Sequence, residues 1–195
     1  MGRSPSRGQA SERRSPAVAA QGRQLTVLIL YSDTGGGHRA AARAIAESIE
    51  ARVAGADVQL SDPLIGQGPP VVRHVAGLYP SLIRRARRAW GPIYHSSNTR
   101  PAWAMLRTTF GGQVRVRITR TLRRLEPDLV ISVHPLLNHV SIDAIGVASR
   151  RRPPFVTVVT DLINLHRGWA CTRADLVIVP TEPARQSMLR RGVRS

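Results

Sequence analysis

The sequence predicts an α/β fold, a Rossmann-like parallel sheet with helices on both faces. Three observations carry this. Apolar runs rich in β-branched residues alternate with segments of helical spacing. The first run leads through a glycine-rich loop into a helix. Polar residues follow directly after the runs, where a parallel sheet collects the carboxyl ends of its strands and binds ligands.

Residues 25–31 (Leu-Thr-Val-Leu-Ile-Leu-Tyr) form a nearly continuous apolar run, as expected of a strand buried on both faces. Residues 32–37 are a loop. Residues 39–53 follow helical spacing, with Ala41, Ala44, Ile45, Ser48, Ile49 and Val53 on one side, and Gly55 ends the helix. Residues 57–61 are a second strand. One or two helices are expected within 71–90. Residues 101–110 read as a short helix, Gly111-Gly112 as a break, and 113–125 as a further helix with Val114, Ile118, Leu122 and Leu125 inward. Residues 129–133, 155–160 and 176–179 are three more strands. Residues 138–148 are helical, and a last helix begins near Thr181.

A length of 195 residues suits one domain, expected over 25–195 behind a disordered basic tail at 1–24 rich in Arg, Ser, Pro and Gly. Hydrophobic residues make up 42%, enough for a buried core. The formal net charge is +17, carried by arginine with no lysine, which favours an anionic partner. Aromatics are only 4%, which argues against a stacking nucleic-acid surface. Cys171 is the single cysteine, so an intrachain disulfide is excluded and a reducing compartment is expected. No stretch reaches the roughly 18–20 apolar residues of a membrane span, so any membrane contact is expected from the surface.

The candidate chemistry sits at the strand ends. Gly35, Gly36 and Gly37 let the backbone approach a ligand, and with the first turn of the next helix they can form an anion site. The same glycines also fit a plain tight turn, or a loose dinucleotide fingerprint with Asp62 as the ribose acceptor. A P-loop is excluded because no Gly-Lys-Ser/Thr follows. His38 lies at the start of the helix, where the dipole disfavours imidazolium. It reads as a neutral general base, or as a structural cap. Asp161 ends the fourth strand and can orient a base, bind a hydroxyl or cap a turn. His134, before Pro135, can line the same cleft or start a turn. The histidines lack ligand spacing with Cys, Asp or Glu, so no metal site is expected. Arg84, Arg85, Arg87, Arg88 and Trp90 form a basic segment with apolar neighbours, suited either to an anionic lipid surface or to solvent.

Residues 27–45, which contain Ser-Asp-Thr-Gly-Gly-Gly-His, resemble the monogalactosyldiacylglycerol synthase and diacylglycerol glucosyltransferase family. The likeness continues through Val130-Ile-Ser-Val-His-Pro135, Val156-Thr-Val-Val-Thr-Asp161, Trp169 and Val179-Pro-Thr-Glu182, in the family's order. The resemblance implies the N-terminal half of a GT-B glycosyltransferase, an inverting enzyme that moves a hexose from a UDP-sugar donor to diacylglycerol, with no covalently bound cofactor. It implies that His38 is the base, Asp161 its acidic partner, and Gly35 to Gly37 the loop facing the donor phosphates. It also implies acceptor or lipid contact at Trp169. The donor half lies outside these residues, so a C-terminal domain or partner chain is expected to supply it, and the segment alone is expected to be inactive. The expected location is peripheral, on the cytoplasmic face of the cell membrane, against anionic lipids. Two other readings stay open: a Rossmann oxidoreductase with a variant glycine fingerprint, and a non-catalytic membrane-binding module.

Overall fold

In the computed structural model the described residues are 24–33, 37–65, 98–148, 151–163 and 165–194. They form a five-stranded, wholly parallel sheet. In chain order the elements are β1 (Thr26–Leu30), α1 (Gly37–Arg52), β2 (Asp57–Ser61), α2 (Arg100–Leu125), β3 (Leu129–Ser132), α3 (Asn138–Ala148), β4 (Phe155–Val158), a 3-10 turn (Arg167–Trp169), β5 (Leu176–Ile178) and α4 (Glu182–Arg190). The strand order across the sheet is β2-β1-β3-β4-β5. The expected α/β architecture is therefore present. The helices expected within 71–90 and the tail over 1–23 lie outside the described residues.

β1 is an interior strand, paired with β2 on one edge and β3 on the other. Val27 to Leu30 are fully buried. Val27 and Ile29 pack with Ile131, Val133 and the α1 residues Ala42 and Ala46. Leu28 and Leu30 pack on the opposite face with Val130, Phe155, the α2 residues Val114, Ile118 and Leu122, and the α3 residues Ile142, Ala144 and Ile145. Two apolar faces on one strand require a helical layer on each side, and the alternation along β1 assigns α1 to one and the α2–α3 pair to the other. Each fully buried aliphatic side chain contributes about 1.5–3 kcal/mol.

Two helical expectations are corrected. The α1 face toward the sheet runs through Ala42, Ile45, Ala46 and Ile49, whereas Ala44, Ser48 and Val53 face solvent. Alanines at 42 and 46 let the helix sit close against β1 and β3. α2 also continues unbroken through Gly111 and Gly112. Its second half is anchored by Val114, Ile118 and Leu122, and that burial outweighs two glycine penalties of about 1 kcal/mol each. Gly55 does end the α1 segment, in the left-handed conformation at φ 74°.

A Cβ added at Gly111 or Gly112 would meet nothing within 4 Å. Gly111→Ala and Gly112→Ala are therefore expected to stabilise the protein by about 0.5–1 kcal/mol each. A rise in the urea midpoint at constant slope checks this.

Candidate active site

The carboxyl ends of β1, β3 and β4 converge where the strand order reverses. The chain passes from β1 outward to β2, then returns on the other side of β1 to β3. Such a switch point opens a crevice, because the two crossovers leave in opposite directions. His38 enters it from the first turn of α1, His134 from the end of β3, and Thr160 and Asp161 from the end of β4.

These side chains meet. The His38 and His134 rings stand edge to face, with centroids 4.5 Å apart and planes at 67°. Trp169 lies 6.2 Å from His38, centroid to centroid. His38 Nδ1 is 3.0 Å from the hydroxyl oxygen of Thr160. The Asp161 carboxylate accepts the Trp169 indole N–H at 2.7 Å. Asp161 is thus held by Trp169 and acts on His38 through its charge.

Burial lowers the pKa of His38, while the charge of Asp161 and a hydrogen bond at the Val133 backbone oppose the shift. The positive end of α1 adds to the lowering; no acidic side chain occupies its first turn to cancel the dipole. His134 is shifted further down, first by its burial and then by the charges of His38 and His166. The His134 Nδ1 atom accepts the Leu136 backbone N–H at 3.3 Å, so in the neutral ring the proton sits on Nε2. Both rings are neutral at physiological pH. Among the described residues no group of three His, Cys, Asp or Glu is arranged to hold a metal ion.

The loop between Asp161 and Trp169 is tethered from three sides. The His166 ring accepts the Gly168 N–H at 3.1 Å. Asn138, the first residue of α3, donates to the Gly168 carbonyl at 3.1 Å. Asn98 accepts the Arg167 backbone N–H at 2.7 Å. This packing buries Trp169 completely. Its indole N–H joins the site through Asp161.

Asp62 is a second hub. Its carboxylate accepts the Ser32 hydroxyl at 3.2 Å and the backbone N–H groups of Asp33, Leu64 and Ile65 at 3.0, 3.1 and 2.8 Å. It joins the end of β1 to the end of β2 and is 9% exposed. A carboxylate so engaged is a structural tie, which removes the ribose acceptor that the dinucleotide reading required. Downstream, Asp33 pairs with Arg39 at 2.9 Å, next to His38.

Of the expected site residues, His38, His134, Asp161 and Trp169 are brought together. Gly37 is the first residue of α1 and is exposed. Gly35 and Gly36 lie outside the described residues, as do Arg84, Arg85, Arg87, Arg88 and Trp90. Thr160 and the tie made by Asp62 were not expected as parts of the site. Their sequence signal was limited to position, each being a polar residue at a strand end.

Comparison with known proteins gives a consistent relation. The family described as Monogalactosyldiacylglycerol (MGDG) synthase matches residues 38–195. A probable monogalactosyldiacylglycerol synthase 2, chloroplastic, of Oryza sativa subsp. indica is 32% identical over 167 residues, covering 84% of this chain and 35% of the relative. The chloroplastic monogalactosyldiacylglycerol synthase of Spinacia oleracea is 33% identical over 146 residues, covering 73% of this chain and 28% of the relative. Monogalactosyldiacylglycerol synthase 1, chloroplastic, of Arabidopsis thaliana is 30% identical over 149 residues, 75% of this chain and 28% of the relative. The chain spans about a third of the length of the curated relatives it matches.

Two outcomes are expected from this geometry. Asp62→Ala removes four hydrogen bonds and strands three backbone donors, so a loss of roughly 2–4 kcal/mol is expected in denaturant unfolding. His134 protonates near its ordinary 6.5 when unfolded but only well below that when folded. Between those limits the unfolded chain binds more protons, so folding stability should fall as pH drops below 6.5. Thermal unfolding from pH 7.5 to 5 should show this slope, and His134→Gln should flatten it.

Proposed function

The chain belongs to the monogalactosyldiacylglycerol synthase family, and on that premise we propose that it forms the acceptor-side half of a glycolipid glycosyltransferase. The substrates are a UDP-linked hexose as donor and diacylglycerol as acceptor; the names of the relatives favour galactose. The observation that carries the reading is His38: a neutral imidazole on the first turn of α1, half-buried at the switch point.

In this reading the acceptor hydroxyl gives its proton to the His38 ring as its oxygen forms a bond to the anomeric carbon. The bond from that carbon to the UDP oxygen breaks, UDP leaves with the electron pair, and the anomeric centre inverts. A base with a lowered pKa is unprotonated and available at neutral pH. The imidazolium that forms is then stabilised by the nearby Asp161 carboxylate, whose charge favours the protonated ring. The exposed amino end of α1, beginning at Gly37, suits a donor phosphate or another anion. His134 packs against the base and shields it from water.

We place the protein at a membrane surface, on the cytoplasmic face, with anionic lipids as a partner for its net charge of +17. Among the described residues no helix is long and apolar enough to cross a membrane. The donor site is assigned to a second domain or a partner chain. The engagement of Asp62 speaks against the oxidoreductase alternative.

In an active protein carrying this sequence, His38→Ala is expected to lower kcat by roughly 10²–10⁴-fold, the contribution of a positioned base. An unchanged circular-dichroism spectrum should accompany the loss. The wild-type rate should stay level through neutral pH and fall only on the acid side, below 6.5, as His38 takes up a proton. Full activity of the folded variant would sink the assignment.

A further inference from the structure

We infer that Thr160 is the positioning residue of His38: its hydroxyl holds the imidazole in one orientation through a hydrogen bond to Nδ1. The inference rests on the reading of His38 as the base and refines it.

His38 needs such an anchor. It follows a glycine-rich segment, so its own element fixes its backbone and leaves the ring free to turn. The ring contacts with His134 and Trp169 crowd the imidazole, yet neither is a directional bond to a named ring nitrogen. The hydrogen bond between Nδ1 and the Thr160 hydroxyl does hold the ring, and because a hydroxyl can donate or accept it does so in either tautomer.

Thr160 is suited to the task. The preceding residue, Val159, is 3% exposed and its backbone N–H donates to the Ile178 carbonyl at 2.9 Å, so the chain is still fastened to the sheet just before Thr160. A β-branched side chain is stiff at χ1, which gives the hydroxyl a fixed place relative to that backbone. The neighbouring carboxylate is otherwise engaged: Asp161 receives the indole N–H of the buried Trp169 at 2.7 Å. Two adjacent residues at the end of β4 thus divide two tasks, geometry at 160 and charge at 161.

The test reads the ring nitrogens directly, by ¹⁵N chemical shifts of the His38 imidazole in the full chain across pH. The wild type should show an Nδ1 shift displaced by a hydrogen bond above its titration range; an Nδ1 shift free of hydrogen bonding would overturn the inference without any variant. Thr160→Val should move the Nδ1 shift to that of a ring lacking this hydrogen bond, and Thr160→Ser should restore the wild-type pattern. Asp161→Asn should lower the titration midpoint while leaving the hydrogen-bonded Nδ1 shift in place. An unchanged pattern in folded Thr160→Val, or a failure of Ser to rescue, would overturn the role.

In an active protein carrying this sequence, Thr160→Val should reduce kcat by about 10-fold with little change in KM, a fraction of what a positioned base contributes. Adding it to His38→Ala should cost nothing further, since the two act as a unit. Retained activity of His38→Ala would remove the base reading, while the nitrogen shifts would still decide the role of Thr160.

Discussion

The burial of β1 on both faces is the constraint on which the rest depends. Four consecutive side chains, Val27 to Leu30, have no access to solvent, and neighbouring strands take up the backbone on both edges. A strand closed on every side cannot present a functional group along its length. Polar chemistry is displaced to its carboxyl end, and the reversal of strand order opens a crevice at that point. Ser32, two residues beyond the strand, is itself fully buried and must find an acceptor. It finds Asp62, and the same carboxylate then fixes Asp33 and the turn after β2. The loop leading to His38 therefore leaves a fixed point.

The electrostatics of the crevice run against the charge of the whole chain. A net charge of +17 would by itself disfavour further protons on the histidines. Burial and the α1 dipole act in the same direction, so His38 and His134 are neutral together. One basic neighbour, Arg39, is paired with Asp33 and contributes less net positive field. Asp161 supplies the opposing charge. The outcome is a base that is lowered but not silenced, held between desolvation and one fixed carboxylate.

The fold was legible because of the same double burial. Unbroken apolar runs marked β1, β3 and β4, and polar residues marked their ends. The face of α1 was not legible, since alanines at 40, 41, 42, 44 and 46 surround the helix and spacing alone does not choose among them. Contact with Val27, Ile29, Ile131 and Val133 chooses Ala42 and Ala46. The Gly111-Gly112 pair carried a local signal for a break, and packing of the following turns overrode it. In the site, His38, His134 and Asp161 could be named from position. Their partners could not: Thr160 reaches His38 across 122 residues of sequence, and Asp62 reaches Ser32 across 30. The burial of Trp169 was hidden as well, because an aromatic in a polar loop looks exposed until the tethers from Asn138 and Asn98 are seen.

Those tethers give the carboxylate its meaning. Trp169 is held in place by a 3-10 turn that is tied to α3 and to the segment before α2, so the indole N–H is a fixed donor. Asp161 inherits that fixity. A carboxylate bonded directly to the base would hold its proton and tie its rotation to a charged partner. A carboxylate held slightly apart by an indole leaves the ring neutral at rest and still lowers the energy of the imidazolium as a proton arrives. Stabilisation that grows with the developing charge is the kind that accelerates a reaction, and a donor fixed in advance supplies it without reorganisation. On the proposed role of His38, the buried tryptophan therefore matters to the chemistry through Asp161.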